Sequence, residues 1–140
     1  MKQLSQTDNP LVLRTDFTDQ AAWNAIYREI QKSVGIFRFY AHVEFIDDVQ
    51  YTGITKEHVI ELIPGHYNHS FIVLVDRTAN SQSHHPLLIV DLYEKSGREF
   101  RALPSRIQSI ENNLSIANMD FEEFAEAVVE DEVFRGFART

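Results

Sequence analysis

Residues 11–17, LVLRTDF, open on an apolar run and turn polar at the end, the profile of a short buried strand. The next segment, TDQAAWNAIYREIQKSVG, changes period. Ala22, Trp23, Ile26, Tyr27, Ile30 and Val34 recur at helical spacing, with Thr18 as the expected N-cap and Gly35 as the stop. FRFYAHVEF (37–45) then alternates. Phe37, Phe39, Ala41, Val43 and Phe45 share one face, and Arg38, Tyr40, His42 and Glu44 share the other, as in a strand with one buried side. This β-α-β order predicts a right-handed crossover if the two strands run parallel in one sheet.

TKEHVIELIPG (55–65) reads as a short helix stopped by Pro64 and Gly65. SFIVLVDRTA (70–79) and PLLIVDLYEK (86–95) are strongly apolar strands. The link between them, Asn80 to His85, is too short for a helical crossover, so the pair should be antiparallel. A turn at Lys95-Ser96-Gly97, with Gly97 at positive φ, would set Leu92 opposite Phe100, Glu94 opposite Arg98 and Asp91 opposite Arg101, and cross-strand charge favours that register. SRIQSIENN (105–113) has Ile107 and Ile110 at helical spacing, a capping-box pair in Ser105 and Gln108, and a natural helix end in Asn112-Asn113. A last helix restarts at Asp120, boxed by Glu123, with Phe121, Phe124, Ala125 and Val128 as its apolar stripe. Leu114, Ile116 and Met119 are expected to plug the core beneath the join.

The element order is β-α-β-α-β-β-β-α-α. It predicts an α/β protein, with α+β as the alternative, built on a mixed sheet of about five strands with helices packed on it. Residues 1–9 read as a flexible polar arm and 10–140 as a single globular domain.

Composition narrows the functional classes. A chain of 140 residues can bury roughly two thirds of its unfolded surface and needs no staple to fold. It contains no cysteine, which removes disulfides, thiolate nucleophiles and cysteine metal sites. The first ten residues hold no apolar core of a signal peptide, and no run approaches a membrane span, so a cytoplasmic protein is expected. Thirteen Lys and Arg against 21 Asp and Glu give a net charge of −8. That charge repels nucleic acid and anionic lipid, and attracts a basic protein partner.

Candidate chemistry collects at strand ends. With the first three strands parallel, Asp16, Asp47, Asp48 and Asp76 lie at or beyond carboxyl ends, with His84 and His85 near that edge, where open α/β sheets bind ligands. Such a group suits Mg²⁺ or Mn²⁺ or an acid–base pair, but its spacing matches no ligand motif, and strand-end aspartates also serve as caps and turns. His66 and His69 fall at the opposite end of the third strand from His84 and His85, too far for one metal site. Arg14 stands among apolar neighbours and needs a carboxylate, with Asp16 or Asp76 as the candidates. Asn112 and Asn113 are candidate ligand contacts as well as turn formers. No nucleophile elbow and no phosphate-cradling glycine loop is present. The sharpest charge feature is the last helix, crowded by Asp120, Glu122, Glu123, Glu126, Glu130, Asp131 and Glu132; the first three complement the N-terminal end of the helix dipole, and Glu130, Asp131 and Glu132 fall at the end where acids do not help it.

The blocks NPLVLRTDFTDQAAW, HPLLIVDL and ENNLSIANMDFEEFAEAVVEDEVFRGF resemble a family of small bacterial and fungal proteins known as a domain of unknown function. The likeness runs from Asn9 to Phe137 and implies one intact domain. It carries over no activity, cofactor or catalytic residue.

Two functional classes follow. The first is a non-catalytic interaction protein, immunity- or antitoxin-like, that holds a basic partner through the acids of the last helix and needs no cofactor. The second is a small metal-dependent hydrolase or phosphotransfer-type enzyme using Asp16, Asp47, Asp48 and Asp76. Self-association through an exposed strand or through Phe134 and Phe137 is a third arrangement.

Overall fold

The first strand, β1 (Leu11–Arg14), is buried at every position, as expected of a central strand covered on both faces. The structure, a computed structural model, describes residues 2–4, 7–32, 40–93, 97–115, 121–126 and 133–134. The described strands make one six-stranded mixed sheet in the order β2-β1-β3-β4-β5-β6. They are β1, β2 (Glu44–Ile46), β3 (Phe71–Val75), β4 (Leu87–Asp91), β5 (Glu99–Ala102) and β6 (Val133–Phe134). β1 is parallel to both β2 and β3, β4 is antiparallel to β3 and β5, and β6 is parallel to β5. The described helices are α1 (Gln20–Gln31), α2 (Lys56–Leu62), α3 (Arg77–Ser81), α4 (Ile107–Ser115) and α5 (Phe121–Glu126).

The two faces of the sheet follow from strict alternation. Val12, Phe71, Val73, Leu87, Ile89, Phe100 and Ala102 meet Trp23, Ile26 and Ile30 of α1, Ile107, Ile110 and Leu114 of α4, and Phe121 and Phe124 of α5. Leu11, Leu13, Ile72, Leu74, Leu88 and Val90 meet Val59 of α2, Tyr51 and Leu4 on the other side. Each fully buried Leu, Ile or Phe contributes about 1.5–3 kcal/mol of transfer free energy, enough for this double-sided burial to set the fold. The arm expected at residues 1–9 reaches the second face: Leu4 is buried, its amide donates to the Leu62 carbonyl (2.9 Å), and Tyr51 Oη donates to the Lys2 carbonyl (2.8 Å).

Several local expectations are corrected. Asp19, not Thr18, caps α1, its carboxylate accepting from the Ala22 amide (2.9 Å). A carboxylate there suits the positive end of the helix dipole, and Thr18 turns its hydroxyl to Asp16 instead. Of the strand expected over 37–45, Phe37, Arg38 and Phe39 lie outside the described residues, Tyr40–Val43 are irregular chain, and the described strand is Glu44–Ile46. Ala41, Val43 and Phe45 still share the core-facing side. Part of the link between β3 and β4 is helical, because Asp76 caps α3 through the Ala79 amide (3.1 Å). α4 is entered from a 3-10 turn at Pro104–Arg106 with no side-chain cap, so the Ser105 and Gln108 box does not form. α4 also continues through Asn112 and Asn113 to Ser115.

The β4–β5 register differs from the charge-based expectation by three residues. Gly97 does take positive φ (+68°). But Ile89 faces Phe100 and Leu88 faces Arg101, so Asp91 comes level with Arg98 rather than with Arg101. An odd shift exchanges the two faces of a strand. Only this register puts Phe100 and Ala102 on the side of Leu87 and Ile89, and burying those side chains outweighs a few tenths of a kcal/mol from half-exposed charge pairs, about 0.2–1 kcal/mol each.

The segment 127–132, with Val128, Glu130, Asp131 and Glu132, lies outside the described residues, as do Ile116, Met119, Asp120 and Phe137. Val133 and Phe134 follow as strand, which adds the sixth strand to the five expected. Phe134 is fully buried against Phe100 and Phe124, so this ring serves the chain's own core.

Candidate functional site

After β1 the chain turns to α1 on one face of the sheet, and after β2 it returns by α2 on the other. The strand order therefore reverses between β1 and β3, and the carboxyl ends of these strands form the rim where doubly wound sheets bind ligands. Arg14 ends β1 there, with its side chain only 3% exposed. Its Nη1 donates to Asp47 Oδ1 (3.1 Å) and Gln20 Oε1 (3.2 Å), and its Nε donates to the Asp16 carbonyl (3.1 Å). The guanidinium lies over the rings of Phe17 (4.4 Å) and Trp23 (5.2 Å), while Nη2 is buried without a hydrogen-bond partner. Its ion pair is thus with Asp47, neither of the two partners expected from sequence.

The four rim aspartates do not converge on one point. Asp16 is buried and accepts from Asn80 Nδ2 (2.9 Å) and Thr18 Oγ1 (2.9 Å). Burial pushes its carboxyl up. The Asn80 and Thr18 bonds, with Arg77 nearby, outweigh that and hold it below the usual carboxylate range. Asp47 is engaged by Arg14. Asp48 caps the 3-10 turn at Val49–Tyr51 through the Gln50 amide, whose side chain also binds it (2.8 Å), and these bonds lower its carboxyl. Asp76 caps α3 and takes a two-pronged contact from Arg101, at 3.0 and 2.7 Å. Among the described residues, no group of three or more His, Asp or Glu side chains is arranged to hold a metal ion.

Of the acids expected on the last helix, Glu126 is described and exposed. α5 buries Phe121 and Phe124 and leaves Glu122, Glu123 and Glu126 on the solvent side. Its orientation is fixed by Arg98, which binds buried Asp91 through Nε (3.1 Å) and Nη2 (2.9 Å), contacts the Glu122 carboxylate, and lies over the Phe121 ring. Glu130, Asp131 and Glu132 fall in the segment outside the described residues. Asn112 is exposed, and Asn113 Nδ2 donates to the Ser109 carbonyl one turn back (2.8 Å), an ordinary intrahelical bond.

The sequence reading missed a second location, at the opposite, amino ends of β1 and β3. There Asp8, Asn9, Pro10, His69, Ser70 and Glu111 line much of a cavity of about 360 Å³. Glu111 projects from α4 and is 5% exposed. Burial pushes its carboxyl above the usual range. The charge and backbone amide of His42, and the charge of His69, pull it partway back. Its ion-pair contact is His42 Nδ1 at 3.7 Å, on a side chain 71% exposed, and among the described residues no lysine or arginine pairs with it. The wall at Asp8-Asn9 is held by three bonds: the Asn9 amide to Glu44 (3.2 Å), Thr7 Oγ1 to the Asn9 carbonyl (2.6 Å), and His69 Nε2 to the Thr7 carbonyl (2.7 Å). A signal for Glu111 was present in the sequence, since 107, 110, 111 and 114 form one buried helical stripe.

Fold and site together define a doubly wound α/β domain with a mixed sheet and a carboxylate-rich surface. The chain belongs to the family described as Domain of unknown function (DUF6924), whose model matches residues 9–137. No curated protein matches it. No helix among the described residues is long and apolar enough to cross a membrane.

Proposed function

We propose that this protein is a non-catalytic binding module that holds a basic protein partner, in the manner of an immunity or antitoxin-like protein. The observation that carries this reading is the two-sidedness of α5. Its aromatic side, Phe121 and Phe124, packs on Phe100 and Phe134 in the core, and its acidic side, with Glu122, Glu123 and Glu126, faces solvent. The chain then carries Glu130, Asp131 and Glu132 before it is tied back at Val133. Glu122 and Glu123 lie in the first turn, where the helix dipole favours acids, and Glu122 also contacts Arg98. Glu126 is exposed at the last described turn, where acids do not help the dipole, and with the Glu130, Asp131 and Glu132 that follow in sequence it would supply negative charge for electrostatic steering.

The engagement of the rim carboxylates supports the same reading over the metal-dependent alternative. A cation at the rim would have to displace Arg14 from Asp47, Asn80 from Asp16 or Arg101 from Asp76. Purified protein used as bait in an extract of its source cells tests the proposal. The expected result is a basic partner that elutes with salt and is lost when Glu126→Lys and Glu130→Lys are combined. Equal recovery by the wild type and the charge-reversed variant overturns it.

A further inference from the structure

Among the described residues, the buried acids are Asp16, Asp91 and Glu111. Asp16 is satisfied by Asn80 and Thr18, and Asp91 by Arg98. Glu111 differs. A carboxylate this deep loses much of its hydration, and a buried charge is kept when a counter-charge or several donors replace the water. The fold supplies Glu111 with the His42 amide, a long contact to the exposed His42 imidazole and the charge of His69. What adjoins it instead is space, about 360 Å³, within the size range of small-molecule sites.

The acidic groups around that space are two carboxylates, Asp8 and Glu111. Ser70 brings a hydroxyl, and Asn9 and Asn68 add side-chain amides that both donate and accept. His69 donates from Nε2 to the Thr7 carbonyl, and its Nδ1 accepts when the ring is neutral and donates when it is charged. Among the described residues, no lysine or arginine lines the cavity. The Asp8-Asn9 wall is already fixed by its bonds to Glu44, Thr7 and, through Thr7, His69, so little ordering cost remains for a ligand. A preformed cavity with two carboxylates in its lining matches a ligand that is positively charged and donates hydrogen bonds.

We propose that the cavity at the amino ends of β1 and β3 binds a small molecule bearing an ammonium or guanidinium group, with Glu111 as its counter-ion and Asp8 at the mouth. The site lies at the other end of the parallel strands from the Arg14 rim, and the proposal stands independently of the partner reading for α5. A guanidinium would take the two oxygens of Glu111 in a two-pronged contact, and an ammonium would take one oxygen with Ser70.

The test is a titration of the full chain with agmatine, followed by amide chemical shifts, with butyrate as an anionic control of similar length. Saturable shifts centred on Asp8, Asn9, His69, Ser70 and Glu111, absent with butyrate, are expected. Glu111→Gln keeps the size of the side chain but removes its charge and turns one acceptor oxygen into a donor amide, and should weaken agmatine at least about tenfold, the loss of a charge-assisted bond. Asp8→Asn, on an exposed residue that leaves the core untouched, should weaken it by a smaller factor and reads the site independently of any change at the buried Glu111. The proposal is overturned if agmatine gives no saturable shift at these amides, if butyrate gives the same shifts, or if Asp8→Asn and any folded Glu111→Gln bind as the wild type does. Glu126→Lys with Glu130→Lys should leave agmatine binding unchanged, which separates this site from the surface of α5.

Discussion

Asp47→Ala is the substitution that most sharply tests whether the rim is structural. It removes the carboxylate paired with a guanidinium whose side chain is 3% exposed, while Asp47 itself is 48% exposed. Stripping one partner from a fully buried pair costs about 3–5 kcal/mol, because the remaining charge is left uncompensated. Here the vacated position opens to solvent, so water can reach Nη1 and the cost is discounted to about 1.5–2.5 kcal/mol. Gln20, the Asp16 carbonyl and the two aromatic rings stay on Arg14, and they keep the residual cost from growing. With a urea m-value of about 1.5–2 kcal/mol/M for a domain of this size, the midpoint should fall by about 1 M at unchanged m. Adding Arg14→Met to Asp47→Ala removes the stranded charge while keeping an apolar stem beside Phe17 and Trp23. The double variant should therefore recover about 1 kcal/mol relative to Asp47→Ala alone, a coupling that only a direct interaction produces. A loss below about 0.5 kcal/mol for Asp47→Ala, or a double variant weaker than the sum of the singles, would refute the reasoning.

Four further outcomes follow from the same structure. Phe124→Ala should cost about 3–5 kcal/mol in urea unfolding, since the ring is fully buried between Phe100 and Phe134. Asn80→Ala should lose the part of its stability deficit that depends on Asp16 as pH falls. The wild-type carboxyl is held below 3.8, so its contribution is present above that value and fades as pH drops through the lowered one, and parallel wild-type and variant curves in acid would contradict this. Glu111→Gln should be more stable than the wild type at pH 7. The folded-state carboxyl is raised above 4.5, so the wild type is favoured in acid and loses ground as pH rises through the raised value, and no crossing of the two stability curves would count against it. Millimolar Mg²⁺, Mn²⁺ or Ca²⁺ should not shift the melting temperature. A ligand at 100 times its Kd adds roughly 2.7 kcal/mol, so a saturable rise would favour the metal-dependent alternative.

The sheet was largely legible because burial on two faces leaves a strong signal. The apolar strands within 70–79 and 86–95 and their antiparallel pairing followed from periodicity and loop length, and the β1–β2 pair is parallel, the condition on which the crossover expectation rested. The errors arose where weak local terms competed with packing. Charge complementarity chose the wrong hairpin register because it ignored which face Phe100 must occupy. Asn112-Asn113 looked like a helix end because asparagine tolerates left-handed backbone, yet Leu114 had a core position to fill and pulled the helix onward. Arg14 was visible as a charge within an apolar strand, but its partner Asp47 lies 33 positions away on a neighbouring strand's end, a pairing that topology decides. Glu111 carried the same kind of mark, a charge in an apolar helical stripe. It was overlooked because the helix was ended one residue later.

The central claim is that the carboxylates divide into those that hold the fold together and those that face a cationic partner. The most direct measurement is the affinity of the captured basic partner for the wild type and for Glu126→Lys with Glu130→Lys, across about 50–500 mM salt. The account predicts affinity that falls steadily with salt and a charge-reversal loss of tenfold or more, about 1.4 kcal/mol, at the low-salt end. Affinity that ignores both salt and charge reversal, with Asp47→Ala losing binding in their place, would contradict it.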